Sequence, residues 1–303
     1  MLTSDQNRKI NEIVEEFKEA ADFYRMEYSE DLMGMFRDFG CMLLLKCKVD
    51  TEGKADLERL LEGRHKLKGT VKRQLMTVSE ELAQLWEPGE QDGSGDTGEY
   101  EGSQNVWEMF QTALEEIFHF CLYSKGGKNR YLLPEETAKP LLRLLTFPEG
   151  MMAGNEGLVV LDTQCGAGSA LMAASRYLKN LRLMGYEKDE EMWAAAVIMS
   201  QLSGLEMELH LEDGARADLY ESCDLVISNP VYGTDTIKDE ELIDQLPGEL
   251  KTVRGRYHME LIRSMQALNF DGKAMLIVPN SFLFANRTES MKVRIRCPRL
   301  KRR

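Results

Sequence analysis

A glycine-containing turn is the first feature of this sequence whose residue types could do chemistry. Residues 162–169 read DTQCGAGS and lie between an apolar run typical of a strand and a segment typical of a helix. Gly166 and Gly168 let the backbone approach a ligand closely, and the helix that follows begins with unpaired N–H groups. The turn predicts a binding site for a nucleotide-like cofactor. A tight turn that holds no ligand is the alternative.

Two acidic residues follow later strands and could bind polar groups of such a cofactor. Glu187 ends the second predicted strand, 19 residues after Gly168, where a carboxylate can accept hydrogen bonds from both hydroxyls of a ribose. Asp213 comes just after the third predicted strand and could accept a hydrogen bond from an adenine amine. Each position also suits a carboxylate with a purely structural role.

A second turn, Asn229-Pro230-Val231-Tyr232, directly follows the fourth predicted strand. At that end of a strand, the Asn229 side-chain oxygen and the Pro230 carbonyl would point into the cofactor crevice. The Tyr232 ring beside them could stack on a planar base. The turn therefore favours a site for a planar amine or amide, and a turn without a part in binding is the alternative.

A sheet must position both turns. Short apolar runs predict strands at 158–162, 181–187, 206–211, 224–228 and 274–279, and the segments between them predict helices at 169–179, 190–203 and 257–268. Strands that alternate with helices favour parallel pairing with both faces covered. The predicted fold class is α/β, a doubly wound Rossmann-like sheet, which binds ligands at the carboxyl ends of its strands near the reversal of strand order.

The rest of the chain predicts two further regions. Residues 1–86 have the apolar periodicity of a small helical domain, with Ser4 as the N-cap of its first helix. Residues 87–104 are rich in glycine, serine and acids and almost free of aliphatic side chains, which predicts a linker. The domain that carries both turns then spans residues 105–303, and its first helix is predicted at 105–123.

Composition argues against several classes of protein. No run approaches the roughly 18 apolar residues of a membrane span, and the N-terminus lacks the apolar core of a signal peptide. The six cysteines contain no C-x-x-C pair and the four histidines are scattered, so neither a disulfide framework nor a metal site is expected. This usage favours a cytoplasmic location. The net charge of −13 opposes non-specific adhesion to nucleic acid.

Taken in order along the chain, these segments resemble a known family. The segments are YLLPEE (131–136), LDTQCGAGSAL (161–171), GYEKD (185–189), EDG (212–214), SNPVYG (228–233) and LNFDGKAMLIVPNSFLF (268–284). They look like those of the amino-methylating, adenine-specific DNA methyltransferases. They are most similar to those of the modification subunits of type I restriction systems. The resemblance covers about residues 105–292.

The resemblance implies S-adenosylmethionine as the methyl donor. Tyr131 and Pro134 would flank its methionine end, and Asp162 would hold the turn or the methionine amine. Glu187 would bind the ribose and Asp213 the adenine ring. The residues implied in donor binding are Tyr131, Pro134, Asp162, Gly166, Gly168, Glu187 and Asp213.

The resemblance also implies DNA as the substrate, with the target adenine flipped out of the duplex at a cost of a few kcal/mol. That base would stack on Tyr232. Hydrogen bonds from its amine to the Asn229 side-chain oxygen and the Pro230 carbonyl would free the nitrogen lone pair for attack on the donor methyl. Asn229, Pro230 and Tyr232 are thus the implied catalytic residues, and no covalent enzyme nucleophile is required.

Three departures from the family pattern bear on activity. Leu133 stands where the family has Thr, Thr163 where it has Pro, and Val231 where it has Pro. Val231 keeps the asparagine and the ring but loosens the turn that fixes them, which predicts reduced activity. The sequence also ends soon after the fifth predicted strand, which indicates a truncated end relative to the family.

Two other functions stay open at this point. The first follows because N-P-x-Y accommodates any planar amide or amine, and the second follows from Leu133, Val231 and the shortened end. One is methylation of RNA or of a protein glutamine. The other is a cofactor-binding interaction subunit that has lost catalysis. No target-recognition region is visible, so we expect sequence specificity to come from a separate subunit, in agreement with the acidic balance of the chain.

Overall fold

Two compact units make up the fold seen in a computed structural model of the chain. The first contains Met1–Lys128 and Val197–Leu205, and the second contains Asn129–Ala196 and Glu206–Arg303. The residues that the structure describes are 2–29, 31–50, 54–62, 67–86, 101–124, 132–133, 135–145, 157–219, 223–230, 236, 238–246, 248–284 and 288–296.

The first unit is helical, as the sequence predicts. Its helices are α1 (Ser4–Glu27), α2 (Met33–Lys46), α3 (Ala55–Glu62), α4 (Gly69–Ala83) and α5 (Glu101–Leu122). Helices α1 and α2 each pack against α4 and α5. Aromatic rings meet in the core, where the centroid of Phe17 lies 5.0 Å from that of Phe39 in an edge-on arrangement. Such pairs add to the stabilisation that burial of their apolar area provides.

Thr3, rather than the predicted Ser4, is the N-cap of α1. The Thr3 Oγ1 atom accepts a hydrogen bond from the Gln6 N–H, and the Gln6 side chain accepts one from the Thr3 N–H. This reciprocal pair is a capping box, which requires a glutamine or glutamate three residues after the cap. Only Thr3 has such a partner, since Asn7 stands three residues after Ser4.

Helix α5 groups with the N-terminal helices. It starts at Glu101 rather than at the predicted residue 105, and it packs against α1 and α2. Its apolar stripe, which includes Phe110, Leu114 and Ile117, is fully buried. The sequence pattern predicts that this helix belongs to the domain that begins at residue 105, whereas the contacts place it in the first unit.

The second unit contains the predicted sheet. Its elements are α6 (Glu135–Arg143), β1 (Leu158–Asp162), α7 (Ser169–Tyr177), β2 (Leu181–Glu187), α8 (Glu190–Leu202), β3 (Met207–Leu211), β4 (Cys223–Ser228), α9 (Glu240–Asp244), a 3₁₀ helix (Gly248–Thr252), α10 (Arg256–Ala267), β5 (Leu268–Leu276), α11 (Asn280–Phe284) and α12 (Thr288–Arg296). From Val197 onward, α8 groups with the first unit.

The five strands pair in parallel in the order β3-β2-β1-β4-β5. The chain moves outward in one direction from β1 to β3 and then in the other from β4 to β5, so the strand order reverses between β1 and β4. The doubly wound α/β fold predicted from the sequence is confirmed. Its ligand site is expected at the carboxyl ends of β1 and β4.

Strand β5 differs most from its predicted range, since it starts at Leu268 and not at 274. Its first residues are mostly polar and give no apolar signal. Leu268 nevertheless pairs with Cys223, and a register shift separates that pair from the next one, Leu225 with Lys273.

None of the helices that the structure describes is long and apolar enough to span a bilayer. Within the same residues, no group of three or more histidine, cysteine or acidic side chains is placed to hold a metal ion.

Candidate active site

The glycine turn joins β1 to α7 and has the backbone conformation that only glycine adopts readily. Gly166 has a φ of +55° and Gly168, the N-cap of α7, has a φ of +80°. These left-handed angles strain residues with a side chain. The turn therefore brings the backbone, together with the free N–H groups at the start of α7, to the carboxyl edge of the sheet.

Glu187, the last residue of β2, is hydrogen-bonded to this turn. Its Oε2 atom accepts from the Gly166 N–H at 3.0 Å, and its Oε1 atom accepts from the Asp189 N–H at 2.7 Å. Burial raises the pKa of Glu187, and these N–H groups oppose the rise. The Lys188 N–H also faces the carboxylate, and the four lone pairs of its two oxygens leave acceptor capacity for a ribose hydroxyl.

Asp162 lies inside the turn, with only 2% of its surface exposed. Its Oδ1 atom accepts a hydrogen bond from the Gln164 N–H at 3.0 Å. Burial raises the pKa of Asp162 to about 7; the hydrogen bond from the Gln164 N–H and the nearby Ser228 hydroxyl oppose this rise, and the charge of Glu187 adds to it. Asp162 is the last residue of β1 and Ser228 the last of β4, so the Asp162 carboxyl group lies where both strands end.

Asn229 and Pro230 follow β4 at the same edge of the sheet. In the parallel register of β1 and β4, Leu161 pairs with Val226, so the glycine turn and Asn229 both lie just beyond this pair. Asn229 is partly buried and Pro230 is buried. The structure thus brings the first two residues of the second turn next to the first turn, while Tyr232 lies outside the described residues.

Tyr131 and Pro134 also lie outside the described residues, but Leu133 between them is described. Its N–H donates a hydrogen bond to the Ser169 Oγ atom at 3.1 Å, and its side chain is buried. Ser169 is the first residue of α7. The segment that carries the first family motif therefore contacts the glycine turn at Leu133, one of the three departures from the family pattern.

Asp213 follows β3 and is bound by an arginine that the sequence analysis did not identify. The Arg256 Nη2 atom lies 2.7 Å from Asp213 Oδ1 and 2.8 Å from Oδ2, and the Ala215 N–H donates to Oδ1 at 3.2 Å. Burial alone would raise the pKa of Asp213, but the hydrogen bond and charge of Arg256 outweigh it, so the pKa is lowered. Asp213 is therefore held as a carboxylate.

Helix α10, which begins with Arg256, contacts both the glycine turn and the loop after β3. One turn further on, Glu260 Oε1 lies 2.7 Å from Arg256 Nε. Burial raises the pKa of Glu260 to about 7, and the charge of Arg256 and a hydrogen bond from the Gln164 side chain oppose the rise. The hydroxyl groups of Thr163 and Ser264 are also hydrogen-bonded, at 3.0 Å.

The sequence gives little sign of this arrangement. An arginine and a glutamate four residues apart on a helix are common as a solvent-exposed pair. Only the crossing of α10 beside the glycine turn and the loop after β3 shows that Arg256 and Glu260 belong to the site.

These residues fit S-adenosylmethionine. The left-handed glycines leave room for close approach of a ligand to the backbone, and Glu187 retains acceptor capacity for ribose hydroxyls. Asp213 offers a carboxylate acceptor to an amine. Carboxylates at the edge also suit the positive charge of the donor, which supplies an electrophilic methyl group when it is bound.

Comparison with known proteins agrees with this geometry. Residues 110–297 match the model of the N-6 DNA methylase family. No curated protein matches the sequence.

Two solved structures share the fold. A Listeria monocytogenes protein assigned as a class I S-adenosylmethionine-dependent methyltransferase has 15% identity and a TM-score of 0.64, and the match covers 95% of this chain and 78% of that one. The type I restriction-modification system methyltransferase subunit from Streptococcus thermophilus has 15% identity, a TM-score of 0.56 and the same coverage of 95% and 78%. Identities this low show the fold alone.

The family model covers more than half of the chain and includes every predicted site residue. We conclude that the protein belongs to the N-6 DNA methylase family and is an S-adenosylmethionine-dependent adenine methyltransferase of DNA.

Proposed function

We propose that the carboxyl edge of β1, β2 and β4 is the active site in which this chain methylates the exocyclic amine of a flipped adenine. The observation that carries the proposal is the hydrogen bond between Glu187 and Gly166, together with the approach of Asp162 to Ser228. These contacts support a cofactor-binding turn at the sheet edge where β4 ends and Asn229 and Pro230 follow.

In the donor half of the site, Glu187 binds the ribose hydroxyls and Asp213 binds the adenine amine of the donor. Gly166 and Gly168 lie under the donor, and Asp162 holds the turn. The depth at which Asp162 is buried supports the turn rather than the methionine amine as its partner. Tyr131 and Pro134 flank the methionine end of the donor.

In the acceptor half, the Asn229 side-chain oxygen and the Pro230 carbonyl accept hydrogen bonds from the target amine. These bonds favour a tetrahedral nitrogen whose lone pair is no longer delocalised into the purine ring. Tyr232 stacks on the base, which contributes roughly 1 to 3 kcal/mol. Alignment of the amine in a fixed geometry then supplies most of the acceleration.

The direct test is transfer of label from isotopically labelled S-adenosylmethionine to genomic DNA that lacks adenine methylation, followed by nucleoside analysis. We expect label in N6-methyladenine. Asn229→Ala should reduce the transfer rate by about 10²- to 10³-fold, the usual effect of losing one polar group that acts on the reacting centre. Asn11→Ala, on the exposed side of α1, is the matched control and should transfer as the parent does.

Other outcomes of this experiment would support the alternatives. Label in transfer or ribosomal RNA but not in DNA would favour an RNA methyltransferase. Donor binding without transfer to any acceptor would favour an interaction subunit, with Leu133 and Val231 as the departures to revert. If Asn229→Ala labels adenine as fast as the parent, the proposed role of Asn229 is wrong.

We further propose that a separate subunit selects the target sequence and that the protein acts in the cytoplasm. The net charge of −13 supports a partner that contributes contacts to the DNA phosphates. The likeness to a subunit of a type I restriction-modification system supports a multi-subunit enzyme. The cysteine usage, with six cysteines and no C-x-x-C pair, suits a reducing compartment. Methylation of a single defined sequence by the isolated chain would contradict the proposed specificity subunit.

A further inference from the structure

Arg256 forms ion pairs with two carboxylates from different parts of the second unit. Its Nη2 atom lies 2.7 and 2.8 Å from the two oxygens of Asp213, in the loop after β3. Its Nε atom lies 2.7 Å from Glu260, on the next turn of α10. Only 24% of the Arg256 side chain and 19% of the Asp213 side chain are exposed, so solvent screens the Arg256–Asp213 contact weakly.

The contact with Arg256 orients the Asp213 carboxylate and leaves one of its oxygens able to accept a further hydrogen bond. Arg256 straddles both carboxylate oxygens from one side, and the Ala215 N–H takes a further lone pair of Oδ1. Each oxygen of a carboxylate offers about two lone pairs, so Oδ2 can still accept a hydrogen bond. A second arginine, Arg216, lies 3.9 Å from Oδ2 but is bound to Asp239 at 2.8 Å.

We propose that Arg256 is a positioning residue for the methyl donor. It orients the Asp213 carboxylate toward the adenine ring of the donor, and Glu260 in turn holds Arg256 in place. The inference rests on the proposed function, in which Asp213 binds that ring. It adds α10 to the elements that determine donor affinity.

The charges around Asp213 explain why Arg256 rather than a neighbour has this role. Arg256 and Glu260 approach it from α10, Lys188 from the segment after β2, and Arg216 from its own loop. The burial of Asp213 raises its pKa, and the hydrogen bond to Arg256 is the largest opposing effect. Without Arg256, the carboxyl group would retain its proton to higher pH and would lose the contact that orients it.

The test compares donor binding by the parent, Arg256→Met and Arg216→Met, measured by titration calorimetry with S-adenosylmethionine. Arg216→Met is the matched control, because it removes a cation near Asp213 that is not hydrogen-bonded to it. We expect Arg256→Met to weaken binding by about 10-fold or more and Arg216→Met by less than about 3-fold. The kcat of Arg256→Met at saturating donor should stay within about 3-fold of the parent value, because the residue does not touch the reacting atoms.

The pH dependence separates a positioning role from a merely structural one. The ratio of the Kd of Arg256→Met to that of the parent should increase as the pH is lowered, since Asp213 takes up its proton at a higher pH in the variant than in the parent. Arg256→Lys retains a charge near Asp213, so its ratio should change little with pH. A purely structural defect would weaken binding equally at every pH.

Each outcome decides between the possibilities. Parent-like binding by Arg256→Met or by Asp213→Asn, or a Kd ratio that does not change with pH, overturns the inference while leaving the methyltransferase intact. Failure of the parent itself to bind the donor would instead contradict the proposed function. If Arg256→Met does not fold cooperatively, Arg256→Gln at the same pH values gives the same comparison.

Discussion

The core of the helical unit and the carboxyl edge of the sheet bury opposite kinds of side chain. Phe17, Phe36 and Phe39 in the helical core are fully buried among other apolar groups. At the sheet edge, Asp162 and Glu260 are each only 2% exposed, and burial raises the pKa of both to about 7. Burial of an aromatic ring stabilises a fold, whereas burial of a carboxylate opposes its ionised form.

A contribution to stability explains why side chains are buried in the helical core, but it does not explain why acids are buried at the sheet edge. The removal of apolar area from water is sufficient to explain the helical core. The sheet edge gathers the acids Asp162, Glu187, Asp213 and Glu260. Burial raises the pKa of all but Asp213, so the charges of those three cost stability, whereas Arg256 lowers the pKa of Asp213. Perturbed acids that converge on the topological switch point of an α/β sheet are typical of a functional site. We therefore expect substitutions in the two regions to separate stability from activity.

The largest expected effect is on stability, from Phe17→Ala in the helical core. Phe17 is fully buried and packs edge-on against Phe39 at 5.0 Å. Its truncation should lower the free energy of unfolding by about 3 to 5 kcal/mol, measured by urea denaturation followed by circular dichroism. Phe23→Ala in the same helix is the matched control, because Phe23 is 37% exposed and should lose much less. Equal losses would contradict the packing described for α1.

At the sheet edge, Glu187→Gln should weaken donor binding with little effect on stability. Removal of the Glu187 charge relieves the cost of burying it, but the glutamine amide loses one of the two oxygens that accept from the Gly166 and Asp189 N–H groups, so the thermal unfolding temperature should change little. Donor binding should weaken by about 10- to 100-fold, since a hydrogen bond to a charged group contributes about 1.5 to 3 kcal/mol. Calorimetry and thermal melts on one preparation measure both. A variant that melts earlier but binds the donor normally would assign Glu187 to structure alone.

Tyr232→Ala tests whether an aromatic ring serves binding at this edge rather than stability. We expect the KM for DNA to rise by roughly 5- to 100-fold, because the stack with the base is worth about 1 to 3 kcal/mol. The Kd for the donor and the unfolding free energy should change little. Tyr232→Phe retains the ring and should behave as the parent does. A loss in both variants would point to the hydroxyl group instead of stacking.

The smallest expected effect is the pH dependence that Asp162 gives to stability. Its folded-state pKa of about 7 is raised above that of an unfolded aspartate, so the folded state retains the proton longer. The contribution of the neutral carboxyl group is present at low pH and is lost as the pH rises toward 7, by up to about 1.4 kcal/mol for each pH unit. Asp162→Asn should remove this part of the dependence. Denaturation of parent and variant between about pH 5 and about pH 8 measures it, and parallel curves would contradict it.

The fold and half of the site could be predicted from the sequence, because both depend on local patterns. Apolar runs that alternate with helical segments fix parallel pairing, and parallel strands place their carboxyl ends at one edge. Asp162, Glu187 and Asn229 each end or follow a strand, so their meeting at that edge follows from topology. The model match to the N-6 DNA methylase family confirms the resemblance that these motifs suggest.

The rest of the site depends on contacts between residues far apart in the chain. Arg256 meets Asp213 only because α10 crosses beside the loop after β3, and no local pattern marks either residue as a partner of the other. The grouping of α5 with the N-terminal helices has the same origin. Its apolar stripe predicts burial, but a stripe does not say which surface covers it.

Hydrogen exchange with and without S-adenosylmethionine tests most directly whether the donor binds at the carboxyl edge of the sheet. Backbone amides from 163 to 169, 187 to 189 and 213 to 215 should exchange more slowly when the donor is present, while α1 and α4 should be unaffected. Glu187→Gln should weaken that protection at the same donor concentration. Protection confined to the helical unit, or none in any segment, would contradict the assignment of this edge as the donor site.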